Sequence, residues 1–411
     1  MVTRRVFLKG SALTVFGFGA APAWLSRSLC ASEGARGKKI LVAIFQRGAV
    51  DGLNVVVPFG EKRYYELRPT LAIPAPAGGA NSAIDLDGFF GLHPALAPLK
   101  PIYDARRLAI VDAVGSPDPT RSHFDAQDYM ESGTPGLKAT TDGWMNRALP
   151  KAAMKTSPVR AIGLGSSLPR SLRGRNAAVA IDNLKEFQIK DASGSASFET
   201  MYNATLDTLL HGAGKDTFEA VKMLQAIQKQ SYTPEGGAQY PKGRFGQSLL
   251  QIARLIRAGA GLQVAFADVG GWDTHVNQSA GPPAQGQLAN HLAEFGQALA
   301  AFYQDLGDRM EHVTVVTMSE FGRAAQENGN RGTDHGHANV MFVMGGDVRG
   351  GKIYGEWPGL QEEQLYDGRD LNLTTDFRDV LGELVVRQLD NPNLKAVFPG
   401  YASPHFLGLI G

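Results

Sequence analysis

From residue 39 to the C-terminus, short unbroken apolar runs alternate with longer amphipathic stretches. Residues 39–45 (KILVAIF) carry no polar side chain after the leading lysine, which is the pattern of a strand buried on both faces. Residues 108–114 (LAIVDAV), 161–164, 262–268, 313–318 and 340–344 read as further strands. Between them the apolar positions recur at helical spacing over 94–104, 122–132, 244–258, 287–306 and 375–389, the last with a Thr-Asp start. Strands alternating with helices predict an α/β fold: a doubly wound, mostly parallel sheet with helices on both faces, filling 38–411. Residues about 170–240 break the rhythm. They are polar, rich in Asn, Lys and Ser, with a helical stretch at 218–230, and are expected to form a helical insertion. There is no internal repeat.

In such sheets ligands bind beyond the carboxyl ends of the strands, so the residues next to each strand carry the most information. The first strand leads into Gln46-Arg47-Gly48-Ala49-Val50-Asp51-Gly52-Leu53-Asn54, and the second into Pro119-Thr120-Arg121-Ser122-His123-Phe124-Asp125. The strand at 262–268 leads into Gly270-Gly271-Trp272-Asp273-Thr274-His275, and that at 313–318 into Ser319-Glu320-Phe321-Gly322-Arg323. The strand at 340–344 is preceded by Thr333-Asp334-His335-Gly336-His337. Five such loops bring carboxylate, imidazole and hydroxyl groups toward one region.

The N-terminus changes the picture of where the chain works. Thr3-Arg4-Arg5-Val6-Phe7-Leu8-Lys9 precedes an apolar stretch over 12–25 that is broken by Gly17, Gly19 and Pro22. A basic start, a short apolar middle and small residues up to Ala31 make a secretory signal over 1–31. Its arginine pair resembles the twin-arginine consensus closely. The middle is too short and glycine-rich for a stable membrane span. The expectation is export through the twin-arginine translocase, as a folded chain, to a periplasmic or extracellular location. The whole chain holds 41 basic and 40 acidic residues, and cleavage after Ala31 removes four basic ones, leaving a net charge of −3. That balance gives no basis for a nucleic acid or an anionic membrane as partner. The single cysteine, Cys30, falls within the signal. The mature chain therefore has no disulfide, thiolate ligand or cysteine nucleophile.

Without sulfur, a metal site must use oxygen and nitrogen. The loops offer Asp51, Asp273, His275, Glu320, Asp334, His335 and His337. That set suits one or two divalent ions of Zn, Mn, Fe or Mg, and its imidazoles argue against calcium. Two ions about 4 Å apart clamp the attacking and leaving oxygens in phosphoryl or sulfuryl transfer. Each member also has a plainer reading: Asp51-Gly52 as turn chemistry, Glu320 as the partner of Arg323, His337 as a hydrogen-bonded neighbour of the ligands. Ser122 heads a Ser-x-x-Asp sequence ending at Asp125, the form of a helix capping box. A helix N-terminus is also an anion site, and a serine there beside a metal is a candidate nucleophile, with His123 as the alternative. Arg47, Arg121 and Arg323 are candidates for holding an oxyanion in bidentate fashion. His93, His211, His291, His312 and His405 receive no role.

The segments FQRGAVDGLN, HFDAQDYMESG, GGWDTH, SEFGR, TDHGHAN and GGDVRGGKIYG resemble a twin-arginine-exported family known as domain of unknown function 1501, over residue 39 to the C-terminus. That family is grouped with the alkaline phosphatase and sulfatase superfamily. The family itself has no settled activity to carry over, and the expectation of an exported metal-dependent hydrolase of phosphate or sulfate esters, with a small anionic ester substrate, rests on the expected two-metal site with a hydroxyl nucleophile. The alternatives are a non-catalytic exported binding or assembly protein that retains a structural metal, and an esterase or mutase on the same frame. The resemblance implies Asp51 and Glu320 toward one ion, and Asp273, His275 and His335 toward the other. Three departures stand out. Asp273 and His275 are separated by one residue where the superfamily spaces the pair by three. Glu320-Phe321 stands where an Asp-His pair is usual. Pro117 precedes Pro119-Thr120-Arg121 where formylglycine chemistry needs Cys or Ser.

Overall fold

A computed structural model describes residues 39–150, 156–183 and 208–411. The expected signal segment with Cys30, and 184–207 of the expected insertion, lie outside the described residues.

Among the described residues nine strands form one sheet: β1 (Ile40–Gln46), β2 (Leu108–Gly115), β3 (Ala161–Leu164), β4 (Val179–Ile181), β5 (Val264–Val269), β6 (Val313–Ser319), β7 (Asn339–Gly345), β8 (Ile353–Tyr354) and β9 (Thr375–Asp376). Their order is β8-β2-β7-β6-β1-β5-β3-β4, with β9 also beside β2. Alternate residues of β1 explain the two layers. Val42 and Ile44 pack into a core with Leu249 and Ile252 of α4 (Arg244–Arg257) and Leu292 and Phe295 of α5 (Gln287–Leu306). Leu41, Ala43 and Phe45 pack on the other face with Trp144 and Met145 of α2 (Trp144–Ala148) and Phe377 and Leu384 of α6 (Phe377–Gln388). A central strand covered on both faces has no polar side, which is why 39–45 reads as a continuous apolar run.

The sheet departs from a wholly parallel one at β7, which runs antiparallel to both β2 and β6. The residues before β7 therefore reach the edge where the parallel strands end, so 333–337 joins the other loops there. The expected helix at 94–104 divides into a 3-10 segment, Pro94–Leu99, and a short α-helix, Lys100–Asp104. Pro98 has no N–H to continue an α-helical ladder. The expected insertion is not helical throughout. Val179–Ile181 is the edge strand of the main sheet, paired in parallel with β3, and the helix α3 (Thr208–Lys229) follows. The expected helix at 375–389 starts later, because Thr375–Asp376 pairs with β2 and the Asp376 carboxylate caps α6 by accepting from Arg378 N.

Within β2 the register with β7 slips, and Ala113 takes φ 47° at the irregularity. The neighbouring Asp112 is buried with Oδ2 unpartnered among the described residues. Burial raises its carboxyl to about 7, against a hydrogen bond from the Ala113 backbone. The native state thus keeps a proton that the unfolded chain releases at lower pH. Stability then falls as pH rises between about 4 and 7, by at most about 1.4 kcal/mol per pH unit. Asp112→Asn removes this slope. Its stability relative to the parent chain, followed by urea unfolding, should improve steadily from about pH 4.5 to about pH 7.5. Parallel profiles for the two proteins would refute the assignment.

Candidate metal centre

The register of the sheet sets the site. β1 pairs with β5 up to Gln46 opposite Val269, and with β6 up to Gln46 opposite Ser319. Three strands thus end at one level, and the loops beginning at Arg47, Gly270 and Glu320 leave side by side. The first turns through Gly48 at φ 116° and Ala49 at φ 59°. A side chain at 48 would place its Cβ 2.8 Å from Asp273 N, so only glycine lets the two loops touch. The Arg323 guanidinium locks them together. It is buried and donates to Ala49 O (2.7 Å), Gly48 O (2.7 Å), Trp272 O (3.1 Å), Thr333 O (2.9 Å) and Asp273 Oδ1 (2.5 Å).

His123, the first residue of α1 (His123–Ser132), Asp273 and His335 present ligand atoms that all lie within 4.8 Å of one another. His123 Nε2 is 3.5 Å from Asp273 Oδ2, and His335 Nε2 is 3.3 Å from Asp273 Oδ1. Tetrahedral ligands at zinc distances are separated by roughly 3.3–3.4 Å. His275 adds Nε2 at 3.1 Å from Asp273 Oδ1 and 2.9 Å from His335 Nε2. The outer ring nitrogens assign the tautomers. His335 Nδ1 donates to Arg121 O (2.9 Å), and His275 Nδ1 donates to Asp334 Oδ1 (3.1 Å), which Asn328 Nδ2 also reaches at 3.1 Å. Both Nε2 atoms are then lone pairs aimed at each other, an arrangement that needs a cation or a proton between them. His123 Nδ1 meets Glu320 Oε1 at 2.8 Å, and its buried Nε2 has no hydrogen-bond partner among the described residues. The donor set fits one divalent ion.

The charges around this point are tuned by their neighbours. The hydrogen bond to Glu320 raises the His123 pKa above the ordinary histidine value, outweighing burial. Burial lowers that of His335, and the charges of His123 and Arg323 act in the same direction. Burial works to raise Asp273, but the Arg323 hydrogen bond and charge hold it below the usual carboxylate range. Asp334 is lowered by the Asn328 hydrogen bond and by His275, against burial.

The other expected ligands are placed elsewhere. Asp51 is fully buried in an ion pair with Arg68, whose Nη1 lies 2.8 and 2.7 Å from its two oxygens, and Gln278 donates to Oδ2 at 2.6 Å. Glu320 Oε1 already faces Gly48 N, His123 Nδ1 and Gln127 Nε2, each at 2.8 Å, while Ser319 Oγ is 3.1 Å from Oε2. Those bonds hold it below the usual range against burial. A second ion held by Asp51 and Glu320 therefore does not fit, since neither carboxylate is open. His337 stacks on Tyr366 with ring centroids 4.2 Å apart, away from the cluster. The arginines are committed too: Arg47 pairs with Glu131 (3.0 Å) and Asp268 (2.7 Å), Arg121 with Asp370 (2.5 Å), and Arg323 serves the loops. Ser122 is the cap residue of α1, yet its side chain makes no cap hydrogen bond, and Asp125 pairs with Lys138 at 2.7 Å. The capping box is not formed.

Gln127, not among the expected site residues, bridges Arg47 and Glu320. Its spacing of four from His123 on a helix was the available signal. Arg68, Gln278 and Asn328 carried none, because each meets its partner only through the fold.

A family model described as protein of unknown function (DUF1501) matches residues 110–389. The chain belongs to the DUF1501 family. The DUF1501 stretch takes in His123, Asp273, His275, Asp334 and His335, and starts after β1. No curated protein matches the chain in sequence. Among solved structures, the PsFucS1 sulfatase from Pseudoalteromonas sp. is similar at 11% identity and a TM-score of 0.41, covering 95% of this chain and 77% of that one. The C-terminal periplasmic domain of EcEptC from Escherichia coli, in complex with Zn, is similar at 11% identity and a TM-score of 0.34, covering 75% of this chain and 73% of that one. At these scores the likeness carries no inference about activity.

Asp51→Ala separates a structural carboxylate from a ligand. Removing one partner of a buried pair costs about 3–5 kcal/mol, so the variant should unfold at markedly lower urea while its metal content per folded molecule stays that of the parent. Intact stability with lost metal would return Asp51 to the ligand set.

Proposed function

We propose that the protein is an exported, metal-dependent hydrolase of phosphate or sulfate esters, working with one divalent ion. The observation that carries the reading is the convergence of the His123, His275 and His335 Nε2 atoms on the Asp273 carboxylate, where the buried Nε2 of His123 has no hydrogen-bond partner among the described residues. A divalent ion held there supplies Lewis acidity toward a phosphoryl or sulfuryl oxygen. Asp334 and the Arg121 carbonyl, each accepting from Nδ1, orient His275 and His335 so that Nε2 faces the cluster. Ser122, next to His123 and free of the helix cap, is the candidate nucleophile, placed where the N-terminal N–H groups of α1 favour an oxyanion. The candidate clamps Arg47, Arg121 and Arg323, all ion-paired, are not available to hold an anion. Phe124 and Val276 are 91% and 51% exposed, each directly following a histidine of the cluster, and suit an apolar leaving group.

The committed arginines favour a second reading, an exported binding or assembly protein that keeps a structural metal. One experiment separates the two. Elemental analysis and chelation melts should find one bound ion, lost in His335→Ala and His275→Ala. Aryl phosphates and aryl sulfates should be cleaved by the parent, and not by Ser122→Ala, which keeps its metal. Bound metal without cleavage of any ester supports the second reading, and no bound metal with no chelation shift sinks both.

The export half of the proposal rests on Arg4-Arg5-Val6-Phe7-Leu8-Lys9. No helix among the described residues is long and apolar enough to cross a membrane. Changing Arg4 and Arg5 together to Lys should leave folded protein in the cytoplasm. Undiminished periplasmic yield would count against the twin-arginine route.

A further inference from the structure

The near-neutral total charge hides a strong local asymmetry at the sheet edge opposite the metal cluster. Where β2 begins and β7 ends, Arg106, Arg107, Val348, Arg349, Gly351 and Lys352 border an open surface cleft of about 650 Å³. Four of these side chains are cationic and none is acidic. Among the described residues, none bonds or ion-pairs with the guanidinium of Arg106, Arg107 or Arg349. The Lys352 ammonium lies over the Tyr354 ring, 4.4 Å from its centroid.

The backbone forces these like charges together. Gly345 N donates to Arg107 O (3.0 Å), Gly350 N to Arg106 O (3.1 Å) and Gly351 N to Leu108 O (2.9 Å), so the segment with Arg349 and Lys352 is hydrogen-bonded along the segment with Arg106 and Arg107. Arg106 takes φ 59°, a left-handed conformation that is unfavourable for a residue with a side chain. Gly351, at φ 74°, allows contact where a Cβ would come within 2.8 Å of Arg106 Cγ. Like charges in one cleft repel, and that repulsion is offset when an anion binds among them. Guanidinium forks match the oxygens of phosphate and sulfate groups. The cleft is larger than one inorganic anion needs and lies in the size range of small-molecule sites.

We propose that this cleft is a second ligand site, taking a phosphate- or sulfate-bearing ligand with at least two negative charges. It is separate from the metal cluster and does not rest on the hydrolase reading. The ligand chemistry can come from a soluble molecule or from a lipid headgroup. The test uses metal-free full-length mature protein, titrated with inorganic pyrophosphate by calorimetry at low ionic strength and sedimented with vesicles of phosphatidylglycerol and phosphatidylcholine. The parent should bind pyrophosphate, and the double variant Arg107→Gln with Arg349→Gln should bind at least about tenfold more weakly. Its melting temperature without ligand should not fall. Arg175→Gln, an exposed arginine outside the cleft, should bind like the parent. Sedimentation with vesicles that pyrophosphate competes away, and that the double variant lacks, assigns a headgroup. Pyrophosphate binding without sedimentation assigns a soluble ligand. Binding of neither probe, equal binding by the double variant, equal loss in Arg175→Gln, or vesicle binding that pyrophosphate does not compete would overturn the proposal.

Discussion

Three strands that end at one level leave three loops with exposed backbone carbonyls, and the Arg323 guanidinium gathers those carbonyls around itself. Its bonds reach the loop after β1, the loop after β5 and the segment before β7, and Arg323 itself stands in the loop after β6. A buried charge is costly unless its hydrogen bonds are satisfied. Here five acceptors satisfy one cation, and one of them is Asp273 at the centre of the cluster. The same contact that fixes the loops also holds that carboxylate ionised and oriented. Positions 48 and 322 are glycine because backbone from another segment occupies the space a side chain would need.

A second buried network lies beneath the first. Arg68 binds Asp51 and Asn54 and donates to Ala324 O and Ala325 O. Tyr64 closes onto Asn54, and Gln278 joins Asp51 to Thr274 and Thr333. Its members come from the loops that also carry His275 and His335. Asp51 therefore ties together the loops that carry the candidate metal-binding residues. Glu320 acts similarly: its Oε1 fixes the His123 ring, whose far nitrogen points into the cluster. Two carboxylates that look like ligands in the sequence support the candidate ligands in the fold.

The two ends of the sheet differ in character. One carries imidazoles and carboxylates whose charges are balanced by hydrogen bonds, around a point that one cation would complete. The other gathers four cationic side chains around one cleft, with no acidic residue among those that line it. Both depend on the antiparallel run of β7, whose start supplies the first edge and whose end supplies the second.

The alternation of apolar runs and amphipathic stretches was sufficient to read an α/β fold, its central strand and the loops that hold the site, because burial on two faces leaves its mark in consecutive residues. Asp273, His275, Asp334 and His335 were legible for the same local reason, being dense clusters of ligand types beside strands. His123 was visible only as an alternative to Ser122. What the sequence alone could not decide was which carboxylate faces a cation and which faces an arginine. Asp51 meets Arg68 across 17 residues and Gln278 across 227, and Glu320 meets His123 across 197. A carboxylate has the same local signature whether its partner is a metal, a guanidinium or a backbone amide. The choice is made by long-range packing, and so it belongs to the tertiary structure.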